Sequence, residues 1–124
     1  MKAGGFNNMK LKLGTGKVLD CLSEERIAHA LSRLPGGDDS FAILQKDEHH
    51  YMQTDGSALD GFILEYQDGA LDRHHRCVDD NLELLAIQRA FQLYFNGDDR
   101  WLIEFEWQPV DLSSLKKRWW QFWK

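Results

Sequence analysis

Period-two alternation through the middle of the chain, flanked by two stretches of helical spacing, predicts an α+β fold. The expected architecture is two-layer: one antiparallel sheet of four to five strands with two main helices on one face. The order is α-β-β-β-β-α-β, with a short C-terminal amphipathic helix added. An Asp68-Gly69 turn signal between alternating runs argues for antiparallel hairpins, and a length of 124 residues sets the size at one domain.

Residues 1–21, rich in Gly, Asn and Lys, alternate weakly at 9–13 and are read as a flexible leader or an edge strand. The folded domain is placed at 22–112. Its first helix opens at Ser23, an N-cap followed by Glu24 and Glu25 in the first turn. It carries Ile27, Ala30, Leu31 and Leu34 on one face and stops at Pro35-Gly36-Gly37. Strands follow at 40–45 and 50–54 around a polar turn, then at 60–67 and 70–78 around Asp68-Gly69. A two-residue turn there would set Tyr66 opposite Leu71, Leu64 opposite Arg73 and Ile63 opposite His74. Asp79-Asp80-Asn81 offers caps to a second helix with Leu84, Ile87, Phe91 and Tyr94 on one face, ended by Asn96-Gly97. A last strand is read at 100–107, with Trp101, Ile103, Phe105 and Trp107 facing the core and Pro109 ending it. Residues 113–124 form a basic, tryptophan-rich tail in which Leu115, Trp119, Phe122 and Trp123 share one helical face.

The charge is unevenly placed. The formal total is −5, yet residues 35–112 hold five basic against seventeen acidic side chains, a balance of −12 between basic ends. An acidic body forfeits the counterion release that drives nucleic-acid binding, so no nucleic-acid partner is expected; a basic protein would instead be steered towards it. No apolar run approaches the ~20 residues of a membrane span and the start lacks an apolar export segment, so the expectation is a cytoplasmic protein without a membrane partner.

The chain has no phosphate loop, dinucleotide turn, nucleophile elbow or zinc helix. The doublets His49-His50 and His74-His75 point to opposite strand faces and cannot chelate one ion as neighbours, and Cys21 and Cys77 make no paired-cysteine knuckle. No metal, cofactor or catalytic residue is therefore expected. Glu65, Asp72, His74 and Arg76 share one side of the expected hairpin as an exposed charged patch. Together with Asp47 and Glu48 they are the candidate partner-binding residues. The alternative is a small-molecule site or small enzyme, with Glu65, Asp72 and His74 as an acid–base group beside an aromatic pocket of Tyr51, Tyr66, Trp101 and Trp107. The tail's aromatic rings are expected to dock on the sheet or on a second copy in a homodimer.

The stretches Tyr51-Met52-Gln53-Thr54, residues 62–69, His74-His75-Arg76, and residues 91–101 with Phe105-Glu106-Trp107 resemble small bacterial immunity-type proteins of toxin–immunity loci. The resemblance covers residues 40–108. In such sequences the pair before the arginine is often His-Tyr, where this chain has His74-His75. The resemblance implies a non-enzymatic inhibitor that occludes a basic partner such as a toxin, its acidic surface imitating the phosphates a nuclease cleft expects.

Overall fold

A computed structural model describes residues 8–69 and 73–110. Its strands are β1 (Lys10–Leu13), β2 (Val18–Leu19), β3 (Phe41–Asp47), β4 (His50–Ser57), β5 (Gly61–Asp68), β6 (His74–Cys77) and β7 (Trp107–Pro109). They form a single antiparallel sheet in the order β2-β1-β3-β4-β5-β6-β7. The helices are α1 (Glu24–Ser32), α2 (Leu84–Phe95) and the short α3 (Trp101–Glu104). The α+β class and the antiparallel sheet agree with the sequence reading. The seven strands exceed the four to five expected because β1 and β2 extend one edge; β7, at the other edge, is the short counterpart of the last expected strand. Leu11 accounts for that extension: it is fully buried opposite Leu44, which ties the 9–13 stretch into the sheet.

Alternation sorts the strand side chains into two faces. Leu11, Ala42, Leu44, Met52, Phe62, Leu64, Tyr66 and Cys77 point to the first. There they share one core with Ile27 and Leu31 of α1, Ile87, Ala90, Phe91, Leu93 and Tyr94 of α2, and Trp101 of α3. Ser23 caps α1 as expected, its Oγ accepting the Arg26 N–H at 3.1 Å. The expected cap of α2 does not form. Leu82 bridges to Phe62 at the sheet margin, so the helix starts later at an N-cap Glu83 that has no side-chain cap bond, and Asp79 instead accepts the Asn81 N–H at 2.9 Å. The chain turns out of α2 through Gly97, whose φ of +69° suits glycine.

Two expectations are corrected. Tyr66 pairs with His75, and His74 with Gln67 rather than Ile63. A two-residue turn of type I′ needs positive φ at both central residues. Asp68 remains extended and paired with His50, while Gly69 alone takes a φ of +98°, so the turn is longer and the register moves. The displacement is an even number of residues, which preserves the assignment of side chains to faces. The expected strand at 100–107 is the helical turn α3 followed by the short β7. Trp101 is buried, but Ile103 is 86% exposed and so does not face the core. A short aromatic run fits both periods, and the Arg89 guanidinium gripping both Glu104 oxygens at 2.9 and 2.6 Å helps hold the helical alternative. The expected C-terminal helix lies outside the described residues. No helix among the described residues is long and apolar enough to cross a membrane.

Candidate functional site

Among the described residues, no helix contributes a core residue to the second face of the sheet, and the middle of that face is polar and buried. The pairings align Lys12, Ile43, Gln53, Glu65, Arg76 and Gln108 in one row, with Lys10, Gln45, Tyr51, Gln67 and His74 in the next. Glu65 is 2% exposed and His74 is fully buried, so the patch expected to be solvated is closed off. His74 Nε2 lies 2.7 Å from Glu65 Oε1, the Gln53 amide donates to the same oxygen at 3.3 Å, and Arg76 Nε stands 3.7 Å from Oε2. The Tyr51 hydroxyl donates to Gln67 at 2.8 Å. Burial, and then the nearby Glu65 charge, raise the Tyr51 pKa and hold the phenol protonated. Gln53 Oε1 and His74 Nδ1 are buried and have no hydrogen-bond partner among the described residues.

A carboxylate holding an imidazole can orient a general base. Here both groups are sealed from solvent, and the pair acts as a polar clamp between β5 and β6. Because charge-assisted bonds are strong and a buried charge is costly when unpaired, the clamp favours this register over its neighbours.

The sheet divides the other candidates. Tyr51 lies on the clamp face, its ring 6.0 Å from His74. Tyr66, Trp101 and Trp107 lie on the helix face as an edge-to-face cluster, with Tyr66 4.8 Å from Trp101 and 4.7 Å from Trp107. His75 stacks on Tyr66 at 4.9 Å and 12°. A cleft of about 220 Å³ beside this cluster is lined by Tyr66, Tyr94, Trp101, His50, Asp68 and Asp99, among others, but by neither Glu65 nor His74. The acid–base group and most of the aromatic pocket are thus on opposite sides of one layer.

Asp47 and Glu48 sit exposed at the β3–β4 turn. Asp47 accepts from the His49 N–H and lies 2.9 Å from His50 Nδ1; the His50 hydrogen bond is the main reason its carboxyl pKa is lowered. His50 also reaches towards Asp68, which meets Arg73 at 3.5 Å. Asp72 lies outside the described residues. The five described candidate binding residues therefore do not form one surface: Glu65, His74 and Arg76 form the clamp, while Asp47 and Glu48 mark one end of the sheet.

The opposite end holds a surface the sequence reading missed. The β4–β5 turn brings up Leu59 and Asp60, and the loop before α2 brings Val78, Asp79, Asp80 and Glu83. The two segments meet closely: a Cβ on Gly61, at φ +85°, would stand 1.9 Å from Asn81 Oδ1. Leu59 is 93% exposed and Leu85 78%, and both line a cleft of about 340 Å³ with Ala58, Asn81, Leu82 and Glu83. The sequence signal was present in Asp79-Asp80, which the expected helix cap had absorbed.

Among the described residues, no three His, Cys, Asp or Glu side chains converge to hold a metal ion. Cys77 is buried beside His75, and desolvation is the main cause of its raised thiol pKa, the opposite of an activated nucleophile. No protein-family description, curated protein or solved structure matches the chain.

Proposed function

We propose that the protein is a non-enzymatic acidic binding protein that occludes a basic partner protein, as an immunity-type inhibitor does. The observation carrying this reading is how the charges are partnered. Arg73, Arg76, Arg89 and Arg100 are each paired with a carboxylate of the same acidic segment, namely Asp68, Glu65, Glu104 and Asp98. Asp38, Asp39, Glu48, Asp60, Asp79, Asp80, Glu83, Asp99 and Glu106 are exposed and have no ion-pair partner among the described residues. Four of the segment's five cations are thus spent on its own carboxylates, the fifth, Lys46, lies over the Tyr94 ring at 5.0 Å, and the excess negative charge faces outward.

Glu83 lines the cleft with the exposed Leu59 and Leu85, Asp60 follows Leu59 in the β4–β5 turn, and the exposed Asp79 and Asp80 precede the cleft residue Asn81. An apolar contact rimmed by one sign of charge suits protein docking: the leucines supply burial, and the carboxylates supply steering and exclude acidic competitors. The proposed docking surface is therefore this end of the sheet, with Asp47 and Glu48 at the other end contributing long-range field. A toxin is the partner class that the sequence resemblance implies.

Immobilised full-length protein, exposed to native cell extract and eluted by a salt gradient, tests the reading. The expected result is a basic protein that elutes as salt rises and is not retained by an Asp79→Asn/Asp80→Asn/Glu83→Gln variant. Capture of nothing, or capture indifferent to salt, overturns it.

A further inference from the structure

We infer that the cleft between the β1–β2 hairpin and α1 binds a small amphipathic anion, an apolar chain or ring bearing one carboxylate or phosphate head. The cleft holds about 490 Å³, more than either of the two clefts described above and within the ~300–1,000 Å³ of small-molecule sites. It shares no lining residue with the cleft at the proposed docking surface, so it is a second site and not part of the first.

The floor of the cleft follows from how α1 meets the sheet. Leu19 pairs opposite Leu11, and Leu13 lies two residues along β1 from it, so all three point to the helix face. Leu11 is fully buried in the core, whereas Leu13 and Leu19 are only partly buried and line the cleft. On the other wall α1 contributes Ala30, whose single methyl group fills little of the space, and Leu34 and Pro35 continue the apolar surface. A Cβ on Gly14 would collide with the Asp39 carbonyl oxygen, so the hairpin turn sits directly on the loop after α1 and brings Thr15 and Asp39 to one end of the cleft.

The charges around that floor select the ligand. Arg26, His29 and Arg33 recur at helical spacing along one side of α1, and Lys17 comes from the hairpin; all four are exposed and line the cleft. The other four described arginines each meet a carboxylate, whereas Lys17, Arg26 and Arg33 have no ion pair among the described residues. Glu25 and Asp39 share the lining and still do not pair with them. Arg26 Nη1 donates to the Asp20 and Cys21 carbonyls at 2.8 and 3.1 Å, which orients the guanidinium without neutralising it. Unneutralised guanidinium groups beside an apolar floor suit a molecule that is apolar at one end and anionic at the other. Burial of its body supplies affinity, and the arginine fork matches carboxylate or phosphate oxygens. The acidic segment does not oppose this. Residues 1–34 hold six basic against three acidic side chains, and more distant carboxylates are screened within about 10 Å at 0.1 M salt.

Titration of methyl-labelled full-length protein with three probes tests this: decanoate, decyl phosphate and the uncharged decanol, each kept monomeric. The expected result is saturable shifts of the Leu13, Leu19 and Leu34 methyl resonances with one or both anions, while those of Leu59 and Leu85 stay in place. The better anion should bind about tenfold or more tightly than decanol, the gain that one charge-assisted contact supplies, and it identifies the head group. Lys17→Gln/Arg33→Gln, at two exposed positions, should keep the thermal midpoint and bring the anions level with decanol. Ala30→Leu fills the space and should weaken all three probes. Three results with the wild type overturn the inference: no saturable shift at Leu13 and Leu19, decanol binding as tightly as both anions, or shifts centred on Leu59 and Leu85. An undiminished anion preference in the charge variant, or undiminished binding to a folded Ala30→Leu, overturns it as well. Should Ala30→Leu not fold, the wild-type titrations and the charge variant decide.

Discussion

At the scale of single residues, Glu65 carries the largest local consequence. Its carboxylate accepts from His74 and Gln53 and faces Arg76, at 2% exposure. Glu65→Ala strands a buried imidazole and a buried amide at once. The expected loss is about 3–5 kcal/mol, the range for breaking a buried pair by removing one partner, read from the denaturant midpoint. Glu65→Gln keeps the shape and one acceptor and is expected to lose clearly less; equal losses would show that the shape and the remaining acceptor contribute nothing without the charge. The tyrosines make a pH prediction. Burial raises the pKa values of Tyr51 and Tyr94 above their ordinary 10.0. A group whose folded pKa is raised stabilises fully below its unfolded pKa, and that contribution is lost as pH rises beyond it. Stability should therefore fall above about pH 10, with phenolate absorbance at these two positions appearing together with unfolding. Phenolate absorbance that develops in the intact fold near pH 10 would contradict their burial.

At the scale of elements, what the sequence revealed depended on how many constraints each element satisfied. The first helix was legible because its cap, acidic first turn, apolar stripe and stop signal coincide, and the structure keeps all of them. Ser23→Ala should cost about 1 kcal/mol, measured as a lower thermal midpoint. The faces of the β5 and β6 residues were also legible, since the register moved by an even number of residues. The register of β6 was not legible: Asp68-Gly69 has the composition of a tight turn, and Asp68 stays in the ladder instead. Trp101–Glu104 reads as a strand because the alternating apolar residues Trp101, Ile103, Phe105 and Trp107 suit a strand, while four residues are too few to separate that period from a helical turn. The burial of the candidate site was not legible for a related reason. Sequence pattern places Glu65 and His74 on one face, but it cannot say that the face is buried, so charge reads as exposure. Gln53 and Gln67, uncharged in mid-strand beside them, were the clue that this face is buried.

At the scale of the whole molecule, the charge distribution sets stability against binding. Asp60, Asp79, Asp80 and Glu83 lie at one end of the sheet without ion-pair partners among the described residues, so they repel one another through water. If they were present only for solubility, neutralising some would change little except solubility. If they form the docking rim, the same change should separate two properties. The Asp79→Asn/Asp80→Asn/Glu83→Gln variant is expected to be as stable as the parent or slightly more so, within about 0.5 kcal/mol at low salt, because exposed substitutions away from buried networks cost little and mutual repulsion is relieved. Association with a basic partner should slow, and its dependence on ionic strength should flatten, because steering acts on the encounter rate and is screened within about 10 Å at 0.1 M salt. Stopped-flow association across a salt series, beside thermal melts of the same two proteins, measures both. A variant that melts earlier would assign these carboxylates a structural role, and unchanged association rates at every salt concentration would remove this end of the sheet as the docking surface.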